Sequence, residues 1–162
     1  MKLYYSPGAC SLSPHIVLRE SGLPFTPVMA STKTHQLADG TDYYGINAKG
    51  YVPLLELDDG QRLTEGPAIV QYIADQVPAK QLAPAAGTMA RYRLMEWLNF
   101  ITSELHKGFS PLFNKDFPEA GKAIYKKKLQ DRLAWVDGEL KPTFRSRPRP
   151  ASTCARSAGS RR

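Results

Sequence analysis

Four short stretches of this chain carry side chains that could do chemistry. The first is Gly8-Ala9-Cys10-Ser11, which sets a thiol at the threshold of a helix. Unpaired amides and the positive end of the dipole at a helix start favour thiolate and lower the thiol pKa. A buried, inert cysteine fits the same position, because cysteine is among the most buried residue types. The second stretch, Glu65-Gly66-Pro67, opens another helix. Helix-start N–H groups can hold a carboxylate while Glu65 takes an ammonium, so the pair suits an amino-acid zwitterion; a plain capping turn is the simpler alternative. The third, Val52-Pro53, precedes a strand. A cis bond there would turn the Val52 peptide groups outward to pair with another extended chain, although X–Pro bonds are mostly trans and nothing local argues otherwise. The fourth is His106, a lone helical histidine between Glu104 and Lys107. No second histidine follows one turn on and no carboxylates cluster with it, so a metal site is unsupported.

The elements that position these residues follow from turn chemistry and periodicity. Lys2 to Tyr5 is a short β-prone run stopped by Ser6-Pro7-Gly8. A helix follows from Ser11 to Glu20, with Ser11 and Ser13 as candidate N-caps and Ser21-Gly22 as its end. A second strand spans about Thr26 to Ala30, and a weakly helical piece lies around Asp42 to Ile46. Leu54 to Leu57, the Asp58-Asp59-Gly60 turn and Gln61 to Thr64 read as a hairpin. Ile69, Ile73 and Val77 recur at helical spacing after Gly66-Pro67, ahead of Pro78. The order β-α-β, β-β-α makes a compact α/β unit of about eighty residues.

Residues 78–87 are rich in Ala, Pro and Gly and read as a linker. Beyond them, one long helix carries Met89, Tyr92, Met95, Leu98, Ile101 and Leu105, and a second carries Ile124, Leu129, Leu133, Val136 and Leu140. These form an all-α antiparallel pair whose apolar stripes must pack on something. After Leu140 the periodicity stops, and residues 141–162 read as a disordered basic tail or an out-of-frame continuation.

The chain of 162 residues is 42% hydrophobic and 10% aromatic, enough to bury a core. No apolar run reaches the roughly 20 residues of a bilayer span, and no signal-peptide stretch is present at the N-terminus, so a cytoplasmic protein is expected. Cys10 and Cys154 are the two cysteines, too few for a disulfide scaffold or a thiolate zinc site. The net charge of +7 raises the question of nucleic acid. Residues 141–162 hold seven of the 22 basic residues and none of the 15 acidic ones, so the remainder is balanced and has no excess field to steer a phosphate backbone.

Four blocks, MKLYYSPGACSLSPHIVLRESG, NAKGYVPLLELDDG, LTEGPAIVQYIAD and EWLNFITSELHKGFSPLF, lie in an order and spacing that resemble a bacterial, beta-class glutathione S-transferase over residues 1 to about 140. The resemblance implies a thioredoxin-like α/β N-terminal domain over 1–80, part of an all-α C-terminal domain over 88–140, and a tail over 141–162 that does not match. It implies that Cys10 lies against the glutathione sulfur with Ser11 beside it, and that Val52, followed by a cis Pro53, pairs with the cysteinyl backbone. Glu65 and Gly66 then hold the γ-glutamyl end. His106 faces the thiol, with Asn99, Ser103 and Glu104 lining the same cleft. His35 stands where many members have a lysine that grips the glycine carboxylate, and it would be only partly charged near neutral pH.

The implied function is conjugation of the glutathione thiolate, held near Cys10, Ser11 and His106, to small hydrophobic electrophiles. It involves a homodimer, a detoxifying role and no metal or organic cofactor, with glutathione as co-substrate. One alternative is a glutathione-dependent thiol-disulfide oxidoreductase working through a Cys10 mixed disulfide. Another is a non-catalytic product with an incomplete helical domain, whose basic tail binds nucleic acid weakly. The tail lacks the interleaved aromatics of a single-strand platform, which ranks nucleic acid low.

Overall fold

The computed structural model describes residues 1–145, the side chains of 142–145 excepted. Cys154 and most of the basic tail lie outside the described residues. By compactness the chain divides into two units, one of Met1–Thr102 and one from Ser103 onward.

In the first unit, strands β1 (Lys2–Tyr5), β2 (Thr26–Met29), β3 (Leu54–Glu56) and β4 (Arg62–Thr64) form one mixed sheet in the order β2-β1-β3-β4. β1 and β2 are parallel, joined through helix α1 (Leu12–Ser21), while β1–β3 and β3–β4 are antiparallel. Helix α2 (Gly66–Gln76) follows β4. This is the thioredoxin-like arrangement the sequence leads one to expect.

Strand alternation sorts the side chains. Leu3 and Leu55 are cross-strand partners and point to one face, where Leu18 of α1 and Ile69 and Ile73 of α2 complete a fully buried cluster. Burying each such side chain stabilises by about 1.5–3 kcal/mol. The neighbouring pair Tyr4 and Leu54 points to the opposite face and packs on Ala30, Tyr43 and Val52. That second layer is made by the long connection from β2 to β3, including a 3₁₀ turn at Tyr43–Gly45.

Helix α3 (Met89–Phe100) starts at Thr88, whose Oγ1 accepts from the Arg91 amide. Compactness groups α3 with the sheet, whereas the sequence reading separates it at the 78–87 linker. Arg91 supplies the tie: buried, it pairs with Asp75 at the end of α2 and donates through Nε to the Pro84 carbonyl at 2.9 Å.

The expected single α-helix from Met89 to Leu105 is interrupted. Residues Ile101–His106 form a π-helical segment, followed by a 3₁₀ turn at Lys107–Phe109 and the short helix α4 (Ser110–Phe113). Side-chain periodicity could not show this, because one π turn shifts register without altering which residues are apolar.

Helix α5 (Glu119–Arg145) passes five residues into the stretch read as an aperiodic tail from Lys141, which corrects that reading for 141–145. A helix already nucleated extends at little cost per residue, and Lys141 pairs with Asp137 one turn back at 2.8 Å. Of the apolar positions on α5, Leu129 is buried against Gly108, while Ile124, Leu133 and Leu140 are exposed among the described residues.

Candidate functional site

The sheet order brings three of the four chemical stretches to one edge. β1 and β4 run parallel to each other, and β3 runs against both. The carboxyl ends of β1 and β4 therefore lie beside the amino end of β3. Ser6–Ser11 leaves the first, Glu65-Gly66 leaves the second, and Val52-Pro53 enters the third. A shallow open depression between Met1, Thr26, Glu56 and Gly60 lies at the other end of the sheet and is lined by neither cysteine nor histidine.

Cys10 sits in the turn before α1, exposed, and its thiol donates to the Val52 carbonyl oxygen at 3.3 Å. Ser11 occupies the N-cap position but does not cap the helix, a correction to the sequence reading. Its dihedrals are helical, and its buried Oγ is committed to Ser6 instead, accepting from the Ser6 amide at 3.1 Å and donating to the Ser6 carbonyl at 3.2 Å. Ser11 thereby closes the loop that presents Cys10.

The Val52-Pro53 bond is cis, as the resemblance implies and against the expectation from local sequence. The residues before it are pinned from beneath. The Tyr51 carbonyl accepts two bonds from buried donors, Tyr43 Oη at 2.9 Å and Asn47 Nδ2 at 2.7 Å. Asn47 Oδ1 also accepts from the Lys49 amide at 3.2 Å. Neither Tyr43 nor Asn47 was singled out by sequence reasoning; the only local signal was Asn47 three residues before Gly50, which is turn chemistry.

His35 belongs to this same loop system. Its Nδ1 lies 3.2 Å from the Gly50 carbonyl, and its ring packs on Tyr44 with centroids 4.6 Å apart. A carbonyl only accepts, so Nδ1 carries the proton and Nε2 is left for another partner. Gly50 adopts φ +66, and a Cβ there would stand 2.6 Å from Tyr44 Cε1. Glycine is required twice over, by the dihedral and by the ring.

At the third strand end Glu65 precedes α2 with φ 68, a left-handed conformation uncommon for a non-glycine residue. Its backbone carbonyl accepts from the Ala68 and Ile69 amides, both at 3.0 Å, and so starts the helix. Its side chain makes no cap; Oε1 accepts instead from Lys49 Nζ at 3.0 Å, and the same ammonium donates to Thr64 Oγ1 at 3.1 Å. Backbone held in a sparsely populated region tends to mark binding and catalytic positions.

The remaining expected residues lie further along. Asn99 is near the end of α3, in the first unit, and Ser103, Glu104 and His106 all fall in the π-helical segment. Such segments recur at functional sites. Glu104 Oε2 is held by Lys128 at 3.2 Å and Arg132 at 3.0 Å, both on α5. Hydrogen bonds from Lys128 and then Arg132 keep its carboxyl below the usual glutamate range. His106 is exposed. Among the described residues no group of three or more His, Cys, Asp or Glu is arranged to hold a metal ion.

Comparison with known proteins agrees with this geometry. Residues 8–76 match the family model "Glutathione S-transferase, N-terminal domain". Over 141 residues the chain is 52% identical to glutathione S-transferase GstA of Escherichia coli O157:H7, an alignment covering 87% of this chain and 70% of that protein. The bacterial GST BphK, solved as a ternary complex, superposes with a TM-score of 0.84 at 60% identity, covering 87% of this chain and 70% of the other. A sphingomonad glutathione S-transferase solved with glutathione gives 0.83 at 48% identity over the same shares of the two chains. A cysteine before α1, a cis-proline edge and a strained glutamate before α2, with this degree of likeness, lead to one conclusion: the chain belongs to the glutathione S-transferase family, among its bacterial, beta-class members.

Proposed function

We propose that this protein binds glutathione along the sheet edge and conjugates its thiolate to small hydrophobic electrophiles. The observation that carries the reading is the contact of Cys10 with the Val52 carbonyl, which puts an exposed thiol and the backbone before the cis-proline at one point. An arriving tripeptide sets its cysteinyl N–H against Val52 in strand-like fashion, with cis-Pro53 keeping that edge open. The backbone bond places the ligand's own sulfur beside Cys10. Ser11 positions Cys10 by closing its loop on Ser6.

Glu65 takes the γ-glutamyl ammonium, and the amides from Gly66 onward take the neighbouring carboxylate at the α2 N-terminus. His35, its Nδ1 proton committed to the Gly50 carbonyl, can donate from Nε2 to the glycine carboxylate only as the imidazolium. By the family resemblance, Asn99, Ser103, Glu104 and His106 are further candidate site residues. Catalysis then needs only thiolate stabilisation and proximity, so the reading requires neither metal nor organic cofactor. The same reading makes the protein a cytoplasmic, detoxifying homodimer; exposed Tyr51, Met89 and Tyr92 supply apolar surface for such an assembly to cover. No helix among the described residues is long and apolar enough to cross a membrane.

Exposure of the Cys10 thiol favours a second activity at the same site, reduction of glutathione mixed disulfides. The weak nucleic-acid reading concerns a tail that lies mostly outside the described residues. The test is conjugation of an aromatic halide by the full chain, measured beside reduction of a glutathione mixed disulfide. Saturable conjugation that is lost on Glu65→Ala supports the transferase; disulfide reduction alone, abolished by Cys10→Ser, assigns the oxidoreductase.

A further inference from the structure

We propose that Lys49 is a built-in placeholder for the ligand's ammonium: in the unliganded protein its Nζ fills the seat on Glu65 that the γ-glutamyl amino group takes. The inference rests on the glutathione reading and extends it to how the site is kept before substrate arrives. Its basis is a matched pair of acceptors at the end of β4. Lys49 Nζ donates to Glu65 Oε1 at 3.0 Å and to Thr64 Oγ1 at 3.1 Å, the coordination any primary ammonium would seek there.

Neither partner is there by accident of a floppy side chain. The Lys49 amide is fixed by Asn47 Oδ1, the next residue is the left-handed Gly50, and Glu65 itself is held at φ 68. Glu65 makes no side-chain cap to its own helix. Both charged groups are more than half exposed, 51% for Lys49 and 63% for Glu65, so the pair is weak and readily displaced. A weak internal cation keeps the carboxylate oriented without closing the site. The ligand must displace it, and Lys49 therefore competes with the substrate.

The competition makes a signed prediction. Lys49→Met keeps the aliphatic stem and removes the charge; glutathione should bind this variant about two- to fivefold more tightly than the wild type, the factor a surface ion pair commands. Lys49→Arg restores a cation and should return binding to the wild-type level. An analogue of glutathione lacking the glutamyl amino group should lose more affinity for Lys49→Met than for the wild type, because in the variant nothing refills Glu65. In a Glu65→Gln background, Lys49→Met should change nothing. Equilibrium binding by calorimetry on the full chain, with circular dichroism to compare folding, reads all four. Unchanged or weaker binding by Lys49→Met overturns the placeholder and makes Lys49 a bystander or a direct ligand contact. Absence of glutathione binding by the wild type and every variant overturns the glutathione reading itself, and this inference with it.

Discussion

Asn47→Ala tests whether the cis-proline edge is prearranged from beneath. The substitution removes the 2.7 Å bond from Nδ2 to the Tyr51 carbonyl and the 3.2 Å bond from the Lys49 amide to Oδ1. A buried hydrogen bond contributes about 0.5–1.5 kcal/mol, so two give about 2 kcal/mol. Tyr51 keeps its bond from Tyr43, and the Lys49 amide, in a half-exposed loop, can turn to water, so no further desolvation penalty is added. For a chain of this size each kcal/mol moves Tm by about 2–4 °C, giving a fall of about 4–8 °C. The loop carrying Val52 then samples conformations in which its carbonyl is misplaced, and the KM for glutathione should rise by a factor of about three to ten, allowing part of the lost free energy to appear in binding. Asn47→Asp keeps the acceptor for Lys49 but sets a carboxylate against the Tyr51 carbonyl, and should be worse than alanine on both readouts. Thermal unfolding by circular dichroism and glutathione titration supply the numbers. A Tm within about 1 °C of wild type, with unchanged KM, would refute the view that Asn47 holds this edge in place.

Two further outcomes follow from the same structure. Gly50→Ala drives a Cβ to 2.6 Å from Tyr44 Cε1 at φ +66, so it should destabilise by about 1–3 kcal/mol and loosen His35, seen as a lower Tm and a higher KM for glutathione. Acid should unfasten Glu104: its folded carboxyl is held below the ordinary value of 4.5, so its pairing with Lys128 and Arg132 contributes above that value and is lost as pH falls through the lowered one. Thermal unfolding from roughly pH 6 down to pH 3 should therefore show a shallower acid decline for Glu104→Gln than for the wild type; parallel curves would remove Glu104 from the account.

The parts of the fold legible in the sequence are those fixed by short-range chemistry. Ser6-Pro7-Gly8, Asp58-Asp59-Gly60 and Gly66-Pro67 bound their elements in the structure to within a residue or two of where turn propensity puts them. What escaped depends on how the folded loops meet, which turn propensity and periodicity do not encode. Tyr43 and Asn47 matter because Tyr51 folds back over them, and Lys49 because β4 ends beside it, fifteen positions later. The π segment escaped because Ile101 and Leu105 keep helical spacing in either register. Ser11 has the residue type of a cap, but its hydroxyl bonds the Ser6 backbone instead of a helix amide. The cis bond at Val52-Pro53 was reached only through family likeness, since no local residue demands it.

The sharpest single measurement is peptide mapping after exposure of the full chain to glutathione disulfide, with and without S-methylglutathione. If the tripeptide's sulfur settles beside Cys10, the mixed disulfide forms on the peptide containing Cys10 in preference to that containing Cys154, and S-methylglutathione suppresses it. Modification of Cys154 with Cys10 spared, or modification of Cys10 that the blocked tripeptide leaves untouched, would contradict that placement.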